Sequence, residues 1–393
     1  MKNHLSKIKE IANEFAIPGN FISAVEIDSG HINSTYLVEF GSDNGSKDRY
    51  VLQRINESVF PDSKAVMRNI EVVTSHINWK VLRVKRDLSG QTLNLFPARG
   101  GRFHTEIEGD GIWRCYNFIE GCRTYDIVES PSQAYEAAKA FGSFQDLVSD
   151  IPLENIEETI PNFHNTPQRY ENLMQAVAED PLNRAGGVRK ELDFVRSHKG
   201  ILSKLIDLRN SGVLPERITH NDTKINNVMI DSATNKAVCV IDLDTVMPGL
   251  SLYDFGDMVR TAVSPAAEDE RDLSNIVVRL PIFEALVEGY LDGCSCLVDA
   301  EIDNLVFSGK LIALETGIRF LTDYIHGDFY FRIGYAKHNF DRASNQLELV
   351  RQLENNTREL NLIIKRRTES GSRAKHGNHF PARSTSAVTN SEK

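Results

Sequence analysis

The stretches HNDTKINN, residues 220–227, and IDLDTVMPGLSLYDFGD, residues 241–257, decide how this chain is read. The first packs a histidine, an aspartate, a lysine and three asparagines into a few consecutive positions, and a short apolar run, Val228 to Ile230, follows at once. So many hydrogen-bonding groups are costly to bury and exceed what a surface turn requires. Ala237 to Ile241 reads as a second, buried strand. It is expected to deliver Asp242 and Asp244 on one face, because strand side chains alternate. The order is therefore polar loop, strand, Asn-containing turn, strand and two carboxylates: a β-hairpin with hydrogen-bonding and anionic groups at its ends.

Transfer of a phosphoryl group from a nucleotide uses such a set. One carboxylate takes the acceptor hydroxyl's proton, while an asparagine and a second carboxylate hold magnesium on the triphosphate. The alternative for these residues is a structural turn followed by an acidic hairpin end.

Working outward, the N-terminal part reads as a helix followed by strands. STYLVEF and YVLQRI are rich in β-formers, and GSDNGSKD between them is a turn. PDSKAVMRNIEVVTSHI reads as a helix with apolar positions at Val66, Ile70, Val73 and Ile77. Further strands are expected around LNLFPA and GIWRCYNFI. One helix among antiparallel strands suggests a small α+β lobe over residues 1–120. SPSQAYEAAKAFGSFQDLV then opens a helix with Ser130 as N-cap, Pro131 at its first position and Gln133 closing a capping box. Helices dominate residues 121–367, apart from a β-rich stretch at 217–245. Residues 368–393 are polar and expected to be disordered.

With 393 residues, 41% of them hydrophobic and 25% charged, the composition is that of a globular protein of two or three domains. A net charge of −10 argues against a general nucleic-acid binder. Apolar runs fall short of the roughly 20 residues that span a bilayer, and MKNHLSKIKEIANEF lacks a signal peptide's apolar core. The expectation is a cytoplasmic protein with no nucleic-acid or membrane partner. Of five cysteines, Cys294 and Cys296 form a C-x-C pair with no second pair, which is weak for zinc; they are read as free thiols.

The spacing H-x-D-x-x-x-x-N, joined to I-D-x-D and GLSLYDFGD, resembles the aminoglycoside phosphotransferase and choline kinase superfamily of protein-kinase-like small-molecule kinases. The resemblance implies an α+β, two-lobed protein-kinase-like fold with a small β-rich N-lobe and a larger, mainly helical C-lobe. It implies ATP and Mg2+ as cofactors, Asp222 as catalytic base, and Asn227 and Asp242 as magnesium ligands, with Asp244 a further ligand or a support. His220 would brace the loop, Asp254 would hold it, and Lys224 either neutralises the transferred phosphate or is a solvated lysine. In the expected nucleotide-covering hairpin, DSGHINSTYLV, Gly30 marks the turn and Asn33 lies just beyond it. Gln53 or Arg54 stands where a strand lysine is expected. YNFIEG, residues 116–121, resembles an adenine-binding hinge and brings in Phe118 and Glu120.

For the acceptor, RFLTDYIHGDFYF places Arg319 and Asp323 at i and i+4 on one helix face, with Tyr330 nearby. These groups suit a polyhydroxylated ring, or are a helix salt bridge beside an aromatic core. Together GHIN, YVLQRIN, HNDTKINN, IDLDTVMPG and RFLTDYIHGDFYF resemble the N-acetylhexosamine 1-kinases, anomeric sugar kinases of the same superfamily. That likeness implies phosphate transfer from ATP to the anomeric hydroxyl of N-acetylglucosamine or N-acetylgalactosamine. It leaves His31 either reaching the substrate or satisfied within its loop. The rival readings are a kinase for another small alcohol, such as an aminoglycoside, choline or homoserine, and a non-catalytic nucleotide-binding pseudokinase.

Overall fold

The computed structural model describes residues 2–27, 32–41, 45–83 and 92–376. Gly30 and His31 therefore lie outside the described residues. The N-terminal lobe is a five-stranded antiparallel sheet in the order β1-β2-β3-β5-β4, formed by β1 (Asn20–Glu26), β2 (Ser34–Gly41), β3 (Lys47–Arg54), β4 (Thr105–Ile107) and β5 (Gly111–Asn117). Alternation along β2 and β3 sends Tyr36, Val38, Phe40, Tyr50 and Leu52 to one face. There they close a core with Ile8, Ile11 and Ala12 of helix α1 (Lys2–Asn13). The other side packs on α2 (Ser63–Arg83), whose Val66, Ile70 and Val73 are buried at helical spacing as the sequence predicts.

The expected strand around LNLFPA does not form. Leu95 and Ala98 make only isolated bridges, to Tyr116 and Phe15. Pro97 has no N–H to give a ladder, and the backbone there turns back on itself when the amide of Ala98 donates to Arg102 O. The edge strand is β4, which sequence reading passed over.

The chain leaves the sheet after β5. Its next strand, β6 (Cys122–Arg123), joins a different sheet, pairing with β8 (Val228–Asp231), itself paired with β9 (Ala237–Val240). Helix α3 (Pro131–Val148) starts as its sequence predicts. The Ser130 hydroxyl accepts from the amide of Gln133, and the Gln133 side chain reaches back to the amide of Glu129. There follow α4 (Thr166–Glu179), α5 (Arg189–Ser197), α6 (Lys204–Asn210) and the strand β7 (Arg217–Thr219), which pairs with β10 (Met247–Gly249). The helical body is completed by α7 (Ser251–Ala262), α8 (Leu280–Gly293), α9 (Asp299–Asp303), α10 (Leu305–His326), α11 (His338–Asn355) and α12 (Thr357–His376). α12 runs to His376, so residues 368–376, expected to be disordered, are helical, and the rest of that polar segment lies outside the described residues. Packing of Leu360, Ile363 and Ile364 anchors the helix.

Helices α3 and α8 touch backbone to backbone. A Cβ on Gly142 would lie 2.5 Å from Tyr290 O, one on Gly289 2.2 Å from Tyr135 O, and one on Gly293 2.4 Å from Lys139 O. Only glycine fits these three positions. Among the described residues no helix is long and apolar enough to cross a membrane.

Candidate active site

Three elements converge on the loop that follows β7. Its backbone is held from α7: the Asp254 carboxylate accepts the amides of His220 (3.0 Å) and Asn221 (2.7 Å), and Thr223 Oγ1 donates to Asp254 O. Asn221 adopts a left-handed backbone (φ 64°), which asparagine tolerates, and its side-chain amide donates to Thr245 O. Thr245 in turn donates its hydroxyl to His220 O. Burial pushes the Asp254 carboxyl up, while the two amides favour the carboxylate.

His220 is fully buried against the edges of Phe141 and Phe144. Its Nε2 lies 3.0 Å from Ile241 O, an acceptor only, so Nε2 carries the proton. Nδ1 then accepts the amide of Asp222 at 3.3 Å. Both nitrogens are used in the neutral form, and burial lowers the imidazole pKa, with the nearby Asp222 charge opposing. The histidine ties the loop to the end of β9.

Asp222 is the part-exposed centre of the loop. Asn227 Nδ2 donates to Asp222 O (2.8 Å) and to Asp222 Oδ2 (3.0 Å), and Lys224 Nζ lies 3.1 Å from Oδ1. Burial works against the Lys224 charge, but Asp222, Asp257 and Asp242 outweigh it and raise the ammonium pKa. The two acceptors fix the Asn227 amide so that its Oδ1 faces away from Asp222. The amide of Ile241 donates to Asn227 O at 2.9 Å, so Asn227 stands directly beside the start of the turn that carries Asp242.

That turn differs from expectation. β9 ends at Val240, Asp242 is left-handed (φ 61°, ψ 60°), and Leu243–Thr245 form a 3-10 turn. The two carboxylates are therefore set by a turn, not by strand alternation. Asp242 is open to solvent on one side. The protein packed around it, then Asp244 and Asp222, raise its carboxyl above the usual range, and its exposure damps that rise. An all-oxygen pair, Asp242 with Asn227 Oδ1, near the carboxylates of Asp244 and Asp222, whose charge Arg114 and Lys224 only partly offset at Asp242, fits a hard divalent cation. Asp244 has other partners. It is buried, pairs with Arg114, and accepts Asn33 Nδ2 at 2.6 Å on its second oxygen.

Arg114 is the residue that sequence reading missed. It sits on β5 directly across from Gln53 on β3, and its guanidinium donates to Gln53 Oε1 at 3.1 and 2.9 Å as well as to Asp244. Burial disfavours its charge, but Asp244 more than compensates and the pKa rises. Gln53 thus faces the site as an acceptor, its amide donating to Thr35. Arg54, one residue on, points to the opposite face and pairs with Asp110. The signal was an arginine inside the apolar run GIWRCYNFI, where a charge is tolerated only with a partner. In the connection, Arg49 stacks over the Phe118 ring at 4.2 Å, pairs with Glu120, and accepts the Phe118 amide on its carbonyl.

Arg319 and Asp323 do not pair with each other. Asp323 is buried and accepts the amides of Phe329, Tyr330 and Phe331 (3.0, 2.9 and 2.9 Å) and Asn339 Nδ2 (2.9 Å). Arg319 instead lies over the rings of Phe163, Tyr330 and Phe331, 5.3–5.9 Å from their centroids.

A two-lobed kinase-like fold with H-x-D-x-x-x-x-N and an adjoining aspartate defines a small-molecule phosphotransferase. The model of the phosphotransferase enzyme family matches residues 23–279, and this chain belongs to that family. Among solved structures it is similar to an aminoglycoside phosphotransferase from Alicyclobacillus acidocaldarius (11% identity, TM-score 0.60, covering 91% of this chain and 96% of that one). It is also similar to a choline kinase from Cryptosporidium parvum (15%, 0.54, 90% and 97%) and to a spectinomycin phosphotransferase in complex with ADP and spectinomycin (12%, 0.54, 89% and 98%). At these identities the likeness is one of fold.

Proposed function

We propose that this chain transfers the γ-phosphoryl group of ATP to the anomeric hydroxyl of an N-acetylhexosamine, giving the sugar 1-phosphate. The observation that carries the phosphotransfer reading is the part-exposed Asp222 carboxylate, flanked by Asn227 and Lys224 and adjoining Asp242. Asp222 accepts the proton of the attacking hydroxyl. Asn227 orients that carboxylate, and His220 and Asp254 keep the loop backbone in place. Lys224, on a rotatable stem, yields Asp222 Oδ1 to the incoming hydroxyl and turns its charge to the phosphate. Asn227 and Asp242 would hold magnesium, which supplies charge neutralisation on the triphosphate when bound. An anomeric hydroxyl is more acidic than an ordinary alcohol, so an aspartate suffices as base and positioning does most of the work.

The sugar assignment rests on the sequence likeness to the N-acetylhexosamine 1-kinases, supported by Arg319 among Phe163, Tyr330 and Phe331, a polar group within an aromatic wall. The test is an ATP-consumption assay against N-acetylglucosamine, N-acetylgalactosamine, glucose, choline, homoserine and an aminoglycoside, with the product position read by phosphorus NMR. Turnover confined to N-acetylhexosamines with a phosphate on the anomeric oxygen supports the reading. Turnover of choline, homoserine or the aminoglycoside in its place overturns the sugar, and turnover of none of them overturns the activity.

A further inference from the structure

The glycine crossing of α3 and α8 has a chemical product at its end. Gly142 and Gly293 bring the two backbones into contact, and Asp146, one turn beyond Gly142, comes to lie against the loop that leaves α8. That loop begins with Cys294, whose amide closes α8 by donating to Tyr290 O, and it continues through Ser295 to Cys296. Ser295 gives both its amide (2.9 Å) and its hydroxyl (2.7 Å) to Asp146 Oδ1. The carboxylate is thereby oriented, and its other oxygen is left for a further partner. The two thiols turn toward each other, Sγ to Sγ 3.2 Å, and the three donor groups lie within 4.8 Å of one another. Cys296 is fixed from its other side, since Arg217 Nη2 donates to Cys296 O at 2.6 Å while Arg217 pairs with Glu301.

We infer that Cys294, Cys296 and Asp146 form a binding site for a soft divalent cation of the zinc class, which clamps the end of α8 to the end of α3. Two thiolates and a carboxylate are a donor set for such an ion, with a fourth position left for water. Zinc–sulfur bonds of about 2.3 Å at tetrahedral angles hold two sulfurs about 3.8 Å apart, so the thiols need to separate by only about 0.6 Å. The Ser295 contacts hold the carboxylate from behind, as the outer partners of metal ligands do. C-x-C alone was too little to mark a site. The third donor comes from a helix far away in sequence and was visible only once the glycines had closed the crossing. The site uses none of the residues around Asp222, so it stands or falls independently of the proposed phosphotransfer.

The experiment uses the reduced full-length chain. Cobalt(II) is added as a spectroscopic substitute, then displaced by zinc in competition with a chromogenic chelator. The expected result is one equivalent bound, with a thiolate-to-cobalt charge-transfer band, which oxygen ligands alone, such as those around Asp222 and Asp242, cannot give. Cys296→Ser should abolish the band. Asp146→Asn should keep the band and weaken binding by at least about tenfold. Zinc should raise the Tm of the wild-type chain and not that of Cys296→Ser. Circular dichroism confirms that each variant is folded, and Asp146→Asn carries the test if Cys296→Ser is not. The inference is overturned if stoichiometric cobalt gives no thiolate band, if affinity is unchanged in Asp146→Asn, or if the reduced pair closes to a disulfide in air faster than it takes up metal.

Discussion

Replacing Arg114 by methionine removes a guanidinium that is only 1% exposed from a carboxylate, Asp244, that is 2% exposed. Methionine fills similar space, so the cavity contribution is small. What remains is an uncompensated charge with Asn33 as its only other side-chain donor among the described residues, and a Gln53 oxygen stripped of two donors. Breaking a buried ion pair from one side typically costs about 3–5 kcal/mol. Set against the roughly 5–15 kcal/mol that stabilises a domain, such a loss is severe. The same argument makes a sharper claim about the double variant. Asp244→Asn added to Arg114→Met takes away the stranded charge, so most of the loss returns and the double variant lies within about 1–2 kcal/mol of the parent. The coupling is read from urea denaturation of the parent, both single variants and the double variant, and should be at least about 1–4 kcal/mol, larger by whatever Asp244→Asn costs alone. A loss below about 1 kcal/mol in Arg114→Met, or simple additivity in the double variant, refutes the reasoning, for then the pair is not what holds β5 to the 243–245 turn.

Asp222→Asn should lower kcat by about 10²- to 10⁴-fold while nucleotide affinity, measured by calorimetry, stays near the parent's; a wild-type kcat removes Asp222 as the base. Asp254→Ala strands the amides of His220 and Asn221 in a buried loop and should cost about 2–4 kcal/mol in denaturation, with faster hydrogen exchange at both amides; unchanged exchange contradicts the bracing role. His220 has its pKa lowered from 6.5 by burial, so the unfolded chain binds the proton more readily than the native one. Its contribution to stability is complete above pH 6.5 and is lost as the pH falls below that value toward the native pKa. Denaturation midpoints between about pH 5 and pH 8 should show that slope, and His220→Asn should flatten it.

Much of this was legible beforehand, for reasons that differ by element. The α2 and α3 helices announced themselves by periodicity and, for α3, by its Ser130 cap, because those signals are local. The family was legible because the spacing H-x-D-x-x-x-x-N followed by I-D-x-D lies in one short stretch of sequence. Three things were not legible. Arg114 could not be connected to Asp244, since nothing in sequence tells that β5 lies beside β3 with Gln53 between. The geometry at Asp242 is a left-handed turn, which a residue-by-residue alternation rule cannot foresee. Asp323 was read by its spacing to Arg319, but three backbone amides from a following loop compete for the same carboxylate and win. In each case a distant segment decided the local outcome.

The fate of Asp323 also bears on the surface above it. Phe329 and Tyr330 are 86% and 61% exposed, yet their amides, with that of Phe331, are gathered onto one carboxylate. Asn339 ties Asp323 to Asp328, and Arg184 holds Asp328 from the other side. Two aromatic rings are thus held out in water on a backbone already frozen. Fixing the backbone of a residue costs about 1–2 kcal/mol, and here that entropy is surrendered on folding and not on binding. Whatever docks on these rings meets a stiff, preformed surface, and selection among ligands there rests on shape, not on the loop's ability to adapt.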